Sequence, residues 1–130
     1  MCADGRSDIL GTVQLRCVIV DDNPSVLIAA RGLLEREGIS VVGVASNTAE
    51  ALEAVAELRP DVVLVDIDLG GESGFDLARR LDGASVILIS THAERDYADL
   101  IEASPAVGFL AKSELSASAI RAVLNAPPGT

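Results

Sequence analysis

A run of four residues, 62–65, carries valine or leucine at every position and ends directly at Asp66. A central strand of a parallel sheet is buried on both faces, so it reads as a continuous apolar run. Neighbouring parallel strands must be joined by long connections, which are usually helices. The run therefore predicts an α/β fold built on a parallel sheet.

Short apolar runs alternate with helical patterns along the rest of the chain. The predicted strands are 15–20, 40–45, 62–65, 86–89 and 107–111, and the predicted helices are 24–37, 48–58, 75–81, 94–103 and 117–124. Asn23, Asn47 and Ser116 are typical helix caps, whereas Gly38 and Pro60 are typical helix ends. Because crossover connections are right-handed, we expect a five-stranded parallel sheet in the order 2-1-3-4-5, with helices on both faces.

Composition indicates one domain between two flanking segments. The chain has 130 residues, 49% of them hydrophobic, which is enough to bury one core. Residues 1–13 mix charge, glycine and serine without a period, which predicts a flexible leader. We expect the domain to span 14–125, and 126–130 to be a tail or the start of a linker to an output domain that is absent from this chain.

The balance of charge excludes two classes of partner for this chain alone. A formal net charge of -10 repels phosphate backbones and anionic lipid headgroups, so we expect neither nucleic acid nor membrane to bind it. The two cysteines, Cys2 and Cys17, give no disulfide framework, and no apolar stretch is long enough for a signal or a span. These features predict a cytoplasmic protein with reduced thiols.

Polar residues stand directly after four of the five predicted strands. Asp21 and Asp22 follow the first strand, Asp66 the third, Ser90 the fourth and Lys112 the fifth. In open α/β sheets ligands bind outside the carboxyl ends of the strands, beside the point where the strand order reverses. We therefore expect these side chains to gather at one edge of the sheet.

Carboxylates held close together raise one another's pKa unless a cation neutralises them. A hard divalent cation prefers oxygen ligands, so the acidic residues predict a Mg²⁺ site. We expect Asp22, Asp66 and the backbone carbonyl of Asp68 to bind the ion directly, and Asp21 to bind it through water.

The same residues fit phosphoryl transfer. This reaction requires an in-line nucleophile and positive charge against the transferred oxygens, which Asp66, the metal and Lys112 can supply. Ser90 offers a hydroxyl donor to the charged product. Phe109 could swing into the space that Ser90 vacates and carry the change towards the fourth helix and fifth strand, although an ordinary core phenylalanine is the alternative.

In order and spacing, these motifs resemble the receiver domain of bacterial response regulators over roughly 15–124. The matching residues are Asp21, Asp22, Asp66, Ser90, Thr91, Phe109 and Lys112. The resemblance implies that Asp66 is the phosphoacceptor, that Asp21 and Asp22 form the metal site, and that Lys112 binds phosphate. It also implies that Ser90 is the switch hydroxyl and Phe109 the aromatic switch.

The resemblance further implies how the domain would signal. A sensor histidine kinase would donate the phosphoryl group, and the changed surface of the fourth helix, fifth strand and fifth helix would control a homodimer or an output such as transcription. The domain would be no enzyme towards other molecules, since it would catalyse only its own phosphorylation and dephosphorylation.

The sequence departs from the family pattern at three points. Most relatives carry alanine or glycine where this chain has Thr91, whose bulk could shield the acyl phosphate and slow phosphoryl exchange. Ser113 follows the lysine in place of proline, as in regulators with helix-turn-helix outputs. The stretch between Asp66 and Ser90 is short, which implies a trimmed third helix.

Two other functions remain open from the residues. Asp66 and Asp68 resemble the nucleophile and the acid–base pair of haloacid-dehalogenase-like phosphatases, but that family does not explain Asp21 and Asp22. The chain could also be a receiver-like interaction module that works without phosphorylation.

Overall fold

The computed structural model describes residues 15–81, 83–91 and 97–125, and it confirms the five-stranded parallel sheet. The strands are β1 (Arg16–Val20), β2 (Ser40–Ala45), β3 (Val62–Asp66), β4 (Ser85–Ser90) and β5 (Gly108–Ala111). They pair in the predicted order, β2-β1-β3-β4-β5. Because β1 lies between β2 and β3, the order of the strands reverses beside the end of β1, where a crevice opens.

Helices cover both faces of the sheet. They are α1 (Pro24–Arg36), α2 (Thr48–Leu58), α3 (Gly74–Arg80), α4 (Ala98–Ala103) and α5 (Ala117–Leu124). The hydrophobic core accordingly forms two layers. One layer contains Val65 with residues of α2 and α3, and the other contains Leu64 with residues of α1 and α5. Alternate residues of the buried strand β3 thus serve opposite layers, as expected for a strand covered on both faces.

Side-chain caps explain where the helices begin. Asn23 Oδ1 accepts a hydrogen bond from Ser25 N, and Asn47 Oδ1 accepts one from Glu50 N. Ser116 Oγ accepts one from Ala119 N. These three caps are confirmed, and each one satisfies a backbone donor that the first helical turn leaves free.

Several predicted boundaries change. Ser73 caps α3 through a hydrogen bond from Phe75 N, so this helix begins and ends one residue earlier than predicted and is seven residues long. β5 begins at Gly108 rather than Val107. The helix predicted over 94–103 is observed as Ala98–Ala103, with Tyr97 as its N-cap; the predicted residues 94–96 lie outside the described ones. The predicted leader 1–13 and tail 126–130 also lie outside them.

Two features of the apolar residues bear on the earlier expectations. No helix within the described part of the chain is long and apolar enough to cross a membrane. Cys17 lies fully buried in β1, and this burial raises the pKa of its thiol to about 12. The thiol is therefore protonated at neutral pH and unreactive.

Candidate functional site

A cleft of about 210 Å³ opens at the carboxyl edge of the sheet. Residues that follow β1, β3, β4 and β5 line this cleft, together with the last residues of β3 and β4. The lining residues are Asp21, Asp22, Asn23, Asp66, Asp68, Gly70, Ser90, Thr91 and Lys112. The structure thus brings together every residue predicted for the site except Phe109.

The acidic cluster comes from two strands. Asp21 is fully buried, its backbone N–H donates to Ala45 O, and its Oδ1 accepts a hydrogen bond from Asn23 N. Asp22 is exposed, and Asp66 ends β3 with only 6% of its surface exposed. One carboxylate oxygen from each of these residues lies within 4.8 Å of the others. The arrangement suits a small cation that prefers oxygen ligands.

Lys112 reaches into this cluster from the end of β5. Its Nζ is 2.6 Å from Asp21 Oδ2 and 3.3 Å from Asp66 Oδ2. Both contacts are ion pairs, and the contact with Asp66 is also a hydrogen bond. Burial lowers the pKa of Lys112, but the contacts with Asp21 and Asp66 outweigh it and raise the pKa above the ordinary value. The ammonium is therefore charged at neutral pH.

The negative charge of Asp66 is only partly neutralised in this arrangement. Burial and the negative charge of Asp21 raise its pKa to about 6, although Lys112 and the N–H of Asp68 act in the opposite direction. One lysine therefore does not offset the carboxylates around it. A divalent cation in the cleft would remove this repulsion and favour the ionised, nucleophilic form of Asp66.

The loop after β3 forms a tight hairpin. Asp68 pairs with Ser73, and Leu69 N donates to Glu72 O. Between them, Gly70 and Gly71 both have positive φ, at 63° and 98°, as a type I′ turn requires. A Gly-Gly pair at this place is the sequence signal that could have predicted the hairpin.

Gly74 sets the distance between this hairpin and β3. A Cβ at this position would overlap the carbonyl oxygen of Asp66, and the Gly74 N–H donates to Ile67 O. Only glycine therefore lets α3 begin so close to the end of β3. Sequence reasoning did not identify Gly74 or Gly70 as part of the site.

Comparisons with known proteins agree with this geometry. The family model described as "Response regulator receiver domain" matches residues 17–125. The chain belongs to the response regulator receiver domain family. This membership decides against the haloacid-dehalogenase-like alternative.

Two curated relatives show the range of similarity of this receiver domain. It is 37% identical over 93 residues to the DNA-binding response regulator MtrA of Mycolicibacterium smegmatis, covering 71% of this chain and 40% of that protein. It is 28% identical over 119 residues to the DNA-binding transcriptional activator EvgA of Escherichia coli K12, covering 88% of this chain and 58% of that protein. The receiver domain spans about half the length of the curated relatives it matches.

A solved structure of a response regulator from Burkholderia pseudomallei superposes with a TM-score of 0.74. The two chains are 27% identical, and the match covers 86% of this chain and 67% of that one. The Burkholderia structure contains a phosphorylated aspartic acid, a calcium ion and citrate.

The other residues predicted for the site, Ser90, Thr91 and Phe109, lie at the end of β4, directly after it and on β5. Ser90 is buried at the end of the strand, and Thr91 is exposed at the rim of the cleft. Phe109 lies opposite Leu88 and packs in the same core layer. Because alternate residues of a strand share a face, Ser90 lies on the Leu88 side as well. Phe109 is thus outside the cleft. It lies on the same face of the sheet as Ser90, so a movement towards Ser90 would not have to cross the sheet.

Proposed function

We propose that Asp66 of this receiver domain accepts a phosphoryl group from a sensor histidine kinase in a Mg²⁺-dependent reaction. The observation that carries the proposal is the contact of Lys112 Nζ with Asp66, in the cleft that also holds the Asp21 and Asp22 carboxylates. An aspartate at the end of a buried strand, with a fixed cation beside it, supplies both the nucleophile and the electrostatic stabilisation that phosphoryl transfer requires. The phosphorylated aspartic acid of the Burkholderia relative supports the same role.

The donor set of the cleft fits Mg²⁺. Three carboxylates lie within reach of one ion, and Lys112 supplies only one positive charge against them. Asp22, Asp66 and the backbone carbonyl of Asp68 would hold the ion directly, with Asp21 contributing through water. A bound ion would neutralise charge on the transferred phosphoryl oxygens.

The protein residues have defined tasks in this reaction. A carboxylate oxygen of Asp66 attacks phosphorus, the phosphorus–nitrogen bond of the donor phosphohistidine breaks, and the imidazole leaves with its electron pair. The Lys112 ammonium, held close by Asp21, binds a phosphoryl oxygen of the product. The chemistry is confined to the domain's own phosphorylation and dephosphorylation, so the domain is no enzyme towards other molecules.

The product would act as a switch. A phosphoryl group adds a charge of about -1.5 to -2, which attracts the Ser90 hydroxyl. Phe109 would follow into the space beside Ser90 and change the surface formed by α4, β5 and α5. That surface already exposes Leu100 on α4 and Val107 before β5, by 50% and 49% respectively.

This changed surface would govern a homodimer or an output, which we propose is transcription in the cytoplasm. MtrA and EvgA are DNA-binding proteins of greater length, so we propose that a DNA contact would be made outside the receiver domain. The net charge of -10 argues against a nucleic-acid or membrane contact through this chain alone.

Intact mass measurement tests the proposal. The protein is incubated with Mg²⁺ and acetyl phosphate or phosphoramidate, with a Mg²⁺-free control. We expect one added phosphoryl group in wild type, none in Asp66→Asn, and one in the matched variant Asp68→Asn. A folded wild type that gains no mass and binds no beryllofluoride would instead favour an interaction module that works without phosphorylation.

A further inference from the structure

We propose that Gly70 is a positioning residue whose missing side chain leaves room for the Asp22 carboxylate at the metal site, and that Glu72 anchors the hairpin that carries Gly70. The observation behind the proposal is a close approach. An ideal Cβ built on Gly70 would lie 2.7 Å from Asp22 Oδ2 and 3.5 Å from Asp22 Cγ. The inference rests on the proposed function, because it concerns the same site.

The space beside Gly70 matters because Asp22 has few other restraints. Its side chain is exposed, whereas Asp21 is buried, receives a hydrogen bond from Asn23 N and pairs with Lys112. The structure gives the Asp22 carboxylate no hydrogen bond or ion pair within the described residues 15–81, 83–91 and 97–125. The carboxylate therefore lies where it does because Gly70, which has no side chain, leaves that space open.

A methyl group at position 70 would force Asp22 to move. Non-bonded carbon and oxygen atoms do not approach to 2.7 Å, so either the turn or the carboxylate must shift. The carboxylate is the terminal group of an exposed side chain, and it yields more easily than the backbone. We expect it to rotate away from Asp66 and out of the site.

A hydrogen bond between Glu72 and the start of α2 holds the hairpin in place. Glu72 Oε1 accepts a hydrogen bond from Thr48 N at 2.8 Å, and Thr48 is the first residue of α2. A carboxylate at this place satisfies a free backbone donor and interacts favourably with the helix dipole. Glu72 therefore prevents the hairpin from moving away from Asp22.

The neighbouring glycine supplies a matched control. Gly71 also has positive φ, but no atom lies within 4 Å of a Cβ built there. Its φ of 98° is further from the left-handed helical value of about 57° than the 63° of Gly70. Backbone strain alone would therefore penalise Gly71→Ala at least as much as Gly70→Ala, whereas only Gly70→Ala displaces Asp22.

Mg²⁺ titration followed by amide NMR shifts of the cleft residues is the experiment. We expect Gly70→Ala to bind Mg²⁺ about 10- to 100-fold more weakly than wild type, as for other changes that disturb ligand orientation. Gly71→Ala should keep nearly the wild-type affinity. In an Asp22→Ala background, Gly70→Ala should cause no further loss, because the displaced ligand is already gone.

Glu72 is tested in the same titration. Glu72→Ala should weaken Mg²⁺ binding, whereas Glu72→Gln, which keeps an oxygen for the Thr48 N–H, should retain most of the affinity. If Gly70→Ala fails to fold, the Glu72 pair still tests the geometry, since it loosens the hairpin without placing a methyl group against Asp22.

The outcomes separate this inference from the proposed function. Wild-type affinity in Gly70→Ala, or equal losses in Gly70→Ala and Gly71→Ala, would overturn the role of Gly70 while leaving phosphorylation of Asp66 untouched. Unchanged binding in Glu72→Ala would overturn the anchor. A wild type that binds no Mg²⁺ at all would overturn both the metal site and this inference.

Discussion

Replacing Lys112 with methionine in the metal-free protein tests whether this lysine stabilises the folded acidic cluster. Lys112 Nζ is 2.6 Å from Asp21 Oδ2, and the two side chains are 17% and 0% exposed. At that distance the Coulomb energy with an effective dielectric constant of 20 is about 6 kcal/mol, and desolvation of the lysine offsets part of it. Removing one partner of a buried pair costs about 3–5 kcal/mol, because the other charge stays buried. We expect the free energy of unfolding to fall by about that amount.

A double-mutant cycle isolates the interaction. In an Asp21→Asn background the buried charge is absent, so Lys112→Met should cost about 1–3 kcal/mol less than in wild type. The remaining cost reflects Asp66, which Lys112 also contacts. Urea unfolding in the presence of a chelator, followed by circular dichroism, gives the four free energies.

A control pair lies far from the cleft on α1. Arg31 and Glu35 form an ion pair at 3.3 Å with side chains 50% and 48% exposed, so Arg31→Met should change the free energy of unfolding by about 1 kcal/mol or less. If Lys112→Met costs no more than this control, or if its cost is the same in both backgrounds, the account of Lys112 as the cation that balances buried Asp21 is wrong.

Two further predictions concern Asp66 and Thr91. Because the folded pKa of Asp66 is raised from 3.8 to about 6, its charge destabilises the metal-free protein increasingly between those two pH values and fully above about 6. The midpoint of thermal unfolding of Asp66→Asn should therefore exceed that of wild type at pH 7.5. The difference between the two midpoints should narrow as the pH falls from about 6 towards 4. A difference that is independent of pH contradicts the raised pKa. Thr91 is exposed at the rim of the cleft, where its bulk can hinder attacking water. Thr91→Ala should shorten the lifetime of the aspartyl phosphate measured by the decay of the phosphorylated mass, and an unchanged lifetime refutes this role.

The sequence alone was enough to predict the sheet and the residues that form the site. The run 62–65 is apolar at each position and lies as β3 in the centre of the sheet, because only a strand covered on both faces accepts such a pattern. Parallel strands all end at the same edge, so Asp21, Asp66 and Lys112 had to meet once the strands were identified. Local periodicity and one topological rule were enough for this level of detail.

The geometry inside the cleft was decided only by tertiary structure. The closest carboxylate to Lys112 is Asp21 rather than the expected phosphoacceptor Asp66, and that choice depends on how β1, β3 and β5 are placed relative to each other. The contact between Thr48 and Glu72 joins residues 24 positions apart and has no local sequence signature. The roles of Gly70 and Gly74 likewise become clear only when the structure places Asp22 beside Gly70 and the Asp66 carbonyl beside Gly74. Sequence patterns report which faces are buried and where elements end, whereas distances of a few ångströms between side chains arise from packing that brings distant residues together.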